Sequence, residues 1–145
     1  ASKVHPPRKG ILISAGTIKN KLKFLDIIDQ LLSFNVPIYA TCGTSLFLKE
    51  YGVETLSLPW PGEAKEDVVH VLKSGKIDFV INIPKSSDHT ELTRGSLIRK
   101  TSVEFGCSLI TDVEKAVSCV KAFGSERSFV DKHELQCLAS FLNIN

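Results

Sequence analysis

The chain has 145 residues, 43% of them hydrophobic and 23% charged, which fits one globular domain with a buried core and excludes disorder as the main state. Lys and Arg number 18 against 16 Asp and Glu, a net charge of +2 with the signs interspersed; a nucleic-acid binder would cluster its basic residues on one face. No apolar run approaches the ~18 residues of a membrane span, and residues 1–9 lack the apolar core of a signal peptide.

After this basic, proline-containing lead-in, residues 10–15 form a continuous apolar run ended by Gly16, as in a strand buried on both faces. Phe24, Ile27, Ile28, Leu31 and Leu32 then recur at i, i+3, i+4, i+7 and i+8, which predicts one helix with a single apolar stripe and Asn35 as its stop. Residues 36–40 read as a second strand, with Pro37 tolerated near its start. Residues 44–51 read as a short helix closed by a left-handed Gly52. A third strand is expected over 53–58, followed by a rigid Pro59-Trp60-Pro61-Gly62 turn.

Val68, Val71 and Leu72 mark one side of a helix over 66–73 that Gly75 ends. The clearest strand is 77–83. Polar residues 84–95 follow, helical character resumes over 97–105, and 107–110 read as a fifth strand. Val113, Ala116, Val117 and Val120 predict another amphipathic helix. Residues 124–145 read as a loop and a final helix, with Ser128 as cap and Asp131 near the positive end of the dipole. Strands alternating with helices pair in parallel through right-handed crossovers, so one three-layer α/β/α sandwich with a five-stranded parallel sheet is expected.

Cys42, Cys107, Cys119 and Cys137 form no C-x-x-C pair, which argues against a zinc ribbon or redox motif and for buried free thiols in a reducing compartment. The sequence contains no methionine and is read as a piece of a longer or processed polypeptide.

Ligands of such sheets bind outside the carboxyl ends of the strands, near the point where strand order reverses. The informative stretches are therefore 14–21, 41–45, 59–65 and 82–94. In residues 41–45, Gly43 lets backbone approach a ligand, while Thr44 and Ser45 stand at a helix N-terminus, where free N–H groups and the dipole favour an anion; alternatively Thr44 simply caps that helix. Lys21 with Lys19, and Lys85 with Ser86 and Ser87, each read as a solvated surface charge or as part of a phosphate or carboxylate cradle. Asn82 closes an apolar strand and either holds the next loop or faces the ligand. Trp60 is core packing or a flat aromatic wall. Thr93 and Arg94 stand where a loop closes over the pocket, and Arg99 follows on the next helix. Asp88 and His89 are placed on a loop poorly suited to orienting acid–base groups. Neither a Ser/His/Asp order, nor a P-loop, nor a metal-ligand cluster is present, so no cofactor, metal or catalytic residue is expected.

The series Gly-Ile-Leu-Ile-Ser (10–14), Tyr-Ala-Thr-Cys-Gly-Thr-Ser (39–45), Leu-Pro-Trp (58–60), Ile-Asp-Phe-Val-Ile-Asn-Ile-Pro (77–84) and Leu-Ile-Arg-Lys-Thr-Ser (97–102), in that order and spacing, resembles the methylglyoxal-synthase-like domain. The likeness is greatest to the C-terminal allosteric domain of carbamoyl-phosphate synthetase, over residues 9 to 123. It implies a regulatory domain, not itself an enzyme, with an effector pocket at the carboxyl edge and the synthetase's catalytic domains as partners. By position, that pocket holds Lys21, Thr41, Thr44, Trp60, Asn82, Lys85, Ser86 and Ser87. Thr41, Thr44, Trp60 and Asn82 match the N-acetylglutamate set of the urea-cycle type, whereas Lys85 and Arg94 replace expected asparagines. Added cations favour a more highly charged effector of the pyrimidine-pathway type: UMP, UTP or phosphoribosyl pyrophosphate. The implied location is the cytoplasm, or the mitochondrion for the urea-cycle type. A methylglyoxal synthase would carry a catalytic aspartate where residues 82–87 have none, and the glycine- and lysine-rich signature of the related cyclohydrolase domain is missing.

Overall fold

The apolar run beginning at Ile11 forms the central strand of a parallel sheet. The computed structural model describes residues 4–84 and 89–123, with the side chains of 89–93 left aside. In it β1 is Ile11–Ser14, β2 Ile38–Thr41, β3 Leu56–Leu58, β4 Phe79–Asn82 and β5 Ser108–Ile110. The helices are α1 Ile18–Lys23, α2 Ile28–Ser33, α3 Cys42–Glu50, α4 Val68–Lys73 and α5 His89–Glu104, with α6 over 113–123. Lys85, Ser86, Ser87, Asp88, Cys137 and the helix expected after Ser128 lie outside the described residues.

The five strands run parallel in the order β3-β2-β1-β4-β5. The chain winds outward from β1 in one direction and then in the other, so the order reverses between β1 and β4. Alternate residues of these strands serve opposite faces. Ile11, Ile13, Phe79, Ile81 and Ile110 pack with Phe24, Ile27 and Leu31 and with Val113, Ala116 and Val120 of α6. Leu12 and Val80 pack on the other side with Val68, Val71 and Leu72 of α4 and Ile98 of α5. Each large side chain so buried contributes roughly 1.5–3 kcal/mol, and cover on both faces is what an all-parallel sheet requires. The fold is the three-layer α/β sandwich expected.

Local signals explain most boundaries. Beyond α3, Gly52 takes φ +80, its N–H donates to Lys49 O, and the Val53 N–H donates to Leu48 O at 2.9 Å. This paired closure satisfies the last carbonyls of the helix, and it uses Val53, so β3 starts at Leu56 instead of residue 53. Asn35 ends α2 in the left-handed region, with φ 55.

The single helix expected over the 24–32 stripe is corrected. The helical stretch starts at Ile18, because Thr17 Oγ1 accepts from the Asn20 N–H at 3.2 Å. A 3-10 turn at Phe24–Ile27 then separates α1 from α2. The cysteine expectation is corrected in part: Cys42 is exposed and Cys119 half-buried, while Cys107 is buried, all three as free thiols.

At the amino edge of the sheet, the Asp78 carboxylate accepts from the N–H groups of Arg8, Lys9 and Gly10 at 2.9, 3.0 and 3.1 Å. This clamp fixes the lead-in where it enters β1. Among the described residues no helix is long and apolar enough to cross a membrane.

Candidate functional site

At the carboxyl edge three strands end in polar residues that are nonetheless buried: Thr41 (2% exposed), Ser14 (3%) and Asn82 (2%). Ser14 and Asn82 are register partners across the β1–β4 switch. Leu12 and Val80, two positions earlier, both face α4 and α5, so Ser14 and Asn82 face that side as well. Thr41 Oγ1 donates to Ser14 Oγ at 3.3 Å. A hydroxyl, a hydroxyl and a carboxamide thus stand in a row across β2, β1 and β4. Ser14 falls in the stretch 14–21 named above with no role of its own there, although its signal is that of Asn82: a polar residue closing an apolar run.

The start of α3 adjoins this row. Thr41 occupies the N-cap position but gives no side-chain hydrogen bond to the helix, and the first turn holds no acid. Its amides therefore keep the positive end of the dipole uncompensated by side chains of that turn. Thr44 is not the cap. Its Oγ1 accepts from the Ala15 N–H at 3.1 Å, tying the turn after β1 to α3. Lys21 reaches the same place from α1: Nζ lies 3.3 Å from where a Cβ on Gly43 would sit. A cation resting against a helix N-terminus opposes the usual charge preference of that terminus, and the two positive fields add.

Other expected residues sit around this centre in different roles. Asn82 Oδ1 accepts from Arg99 Nη1 at 2.8 Å, which joins β4 to α5. Arg94 pairs with Glu63 at 3.0 Å, linking α5 to the loop after β3. Trp60, half-buried on that loop, packs on the cluster of Leu12, Leu58 and Val80. Ser45 is turned toward the sheet edge, its Oγ 2.5 Å from Thr55 Oγ1. There it lines a small open cavity of about 180 Å³ with Lys49, Val53, Glu54 and Thr55, none of which belongs to the row of Thr41, Ser14 and Asn82. In the loop after β3, Asp67 caps α4 through His70 N–H and holds Gly62 N–H, each at 2.9 Å. Burial raises its pKa, but amide hydrogen bonds from Gly62, His70 and Val69 outweigh this and leave it lowered.

The family model described as MGS-like domain matches residues 23–111. The multifunctional protein CAD of Squalus acanthias is 28% identical over 81% of this chain and 6% of its own length. The multifunctional protein URA2 of Saccharomyces cerevisiae is 26% identical over 95% of the chain and 7% of its own length. The C-terminal section of the carbamoyl phosphate synthase large chain of Aquifex aeolicus is 30% identical over 90% of the chain and 25% of its own length. The chain therefore spans a quarter or less of these relatives.

Proposed function

The chain belongs to the MGS-like domain family, and from that premise we propose that it is the effector-binding regulatory domain of a carbamoyl-phosphate synthetase. It binds a small anion at the carboxyl edge and performs no chemistry itself. The observation that carries this reading is the placement of the Lys21 ammonium against Gly43, at a helix start with no acid in its first turn. Two positive fields meeting beside buried hydroxyls and an amide favour a phosphate or carboxylate guest.

In this reading Lys21 and the amides after Thr41 hold the anionic group, Ser14, Thr44 and Asn82 shape the floor, and Trp60 flanks the remainder of the ligand. Arg94, near the start of α5, and Lys85, Ser86 and Ser87, which follow β4 in sequence, add to the set in this reading. The cations favour a phosphorylated effector, UMP, UTP or phosphoribosyl pyrophosphate, and so a synthetase of the pyrimidine pathway. N-acetylglutamate is the second reading, favoured by the set Thr41, Thr44, Trp60 and Asn82. The partners are the synthetase's catalytic domains, as the names of the relatives support.

A thermal-shift screen of the chain against UMP, phosphoribosyl pyrophosphate and N-acetylglutamate tests this. A true effector at a hundredfold excess over Kd adds about 2.7 kcal/mol of stability. Conversion of dihydroxyacetone phosphate to methylglyoxal by the chain would replace the regulatory reading with an enzymatic one.

A further inference from the structure

We infer that Arg99 is a positioning residue: it locks the Asn82 carboxamide in one orientation, so that this subsite accepts a carboxylate or phosphoryl oxygen and rejects a hydrogen-bond donor. The inference rests on the effector pocket proposed above and assigns the chemistry of one part of it.

A guanidinium can only donate. The Asn82 atom 2.8 Å from Arg99 Nη1 must therefore be its oxygen, which turns the NH2 group away from Arg99. Asn82 is 2% exposed at the carboxyl end of β4, and burial makes a flipped amide costly, since two donors would then face each other. Alongside it on β1, Ser14 Oγ already accepts from Thr41, so the Ser14 hydroxyl hydrogen is left to donate. At the strand-order switch an amide N–H and a hydroxyl are thus two neighbouring donors for a single acceptor group.

Gly95 supplies an independent observation. It lies one helical turn before Arg99 on α5, and a Cβ there would come within 2.8 Å of Arg99 Nη1 and 3.6 Å of Asn82 Oδ1. Alanine favours helix over glycine, yet at this position it would push the guanidinium off Asn82. The missing side chain leaves the space in which the pair meets.

Calorimetric titration of UMP, phosphoribosyl pyrophosphate and N-acetylglutamate into the unaltered chain, Gly95→Ala, Arg99→Gln, Asn82→Ala and the Arg99→Gln/Asn82→Ala double variant tests the assignment. Gly95→Ala is expected to remain folded, the gain in helix propensity offsetting part of the lost hydrogen bond, but to bind the preferred probe at least fivefold more weakly. Arg99→Gln should weaken binding at least fivefold when Asn82 is present and less than twofold when it is Ala, because Arg99 acts through Asn82. Equal losses in both backgrounds would mean that Arg99 touches the ligand directly, and full affinity in Gly95→Ala would mean that the pairing is irrelevant; either overturns the inference while leaving the pocket intact. Binding of none of the three probes by the unaltered chain overturns the pocket, and this inference with it.

Discussion

Thr44 Oγ1 accepts the backbone N–H of Ala15 at 3.1 Å, with Thr44 3% exposed and Ala15 fully buried. One threonine side chain thus binds the helix after β2 to the turn after β1 and holds two parts of the candidate pocket in register.

Replacing Thr44 by Val keeps the shape but leaves a buried N–H without a partner. We expect a loss of about 1–3 kcal/mol in urea denaturation, together with weaker binding of an anionic effector. Thr44→Ser, which restores the acceptor, should recover most of both.

Lys21 is half-buried beside the start of α3. Lys21→Ala should weaken a phosphorylated effector by about 1.5–3 kcal/mol, the range for hydrogen bonds to charged groups, with affinity falling as salt is raised in the unaltered chain. Titration at two ionic strengths checks this.

Gly10 lies at the far edge of the sheet, where a Cβ would come within 2.4 Å of Lys76 O and 3.2 Å of Tyr39 Cε2. The backbone carbonyl cannot yield cheaply. Gly10→Ala should destabilise by roughly 1–3 kcal/mol without changing effector affinity in the fraction that folds, which separates fold effects from pocket effects.

Asp67 carries a pH signature. With its folded pKa held below the ordinary 3.8 by three amide hydrogen bonds, its contribution to stability is complete above that value. It is lost as pH falls through the lower folded value. Because the group is only partly buried the effect is small. In Asp67→Asn this part of the acid limb of a pH–stability curve should vanish, while the cap on α4 is largely kept.

Thiol labelling reads the rim directly. Exposed Cys42, the first residue of α3, should react with iodoacetamide in the native chain and be protected by effector. Cys107 should react only on unfolding: burial and then the Asp78 charge raise its thiol pKa, and its S–H donates to Ile77 O at 3.2 Å.

The two central strands were legible because β1 and β4 are buried on both faces and carry uninterrupted apolar residues. Periodicity located the buried side of the 24–32 segment, since Phe24, Ile27 and Leu31 are buried, but not its continuity. Leu32 is 48% exposed, and Ile27, at φ −121, breaks the helix between two turns. A stripe reports which face is covered and is silent on a local change of helix type. α1 escaped notice because Lys19, Asn20 and Lys21 give no apolar rhythm; only Thr17 announced it. At the site, Thr41, Thr44 and Asn82 stood out as polar residues at the ends of apolar segments. Their partners Ser14, Ala15 and Arg99 come from elements distant in sequence, which spacing along one chain cannot pair.

The most direct measurement is an amide NMR titration of the chain with UMP, phosphoribosyl pyrophosphate and N-acetylglutamate in turn. The account predicts that one of them shifts the amides of residues 14–17 and 42–44 and the side-chain NH2 of Asn82, and leaves those of Lys9, Gly10 and Asp78 at the opposite edge unmoved. Shifts centred instead on the Leu32, Val36 and Leu56 edge, or none with any of the three, would contradict it.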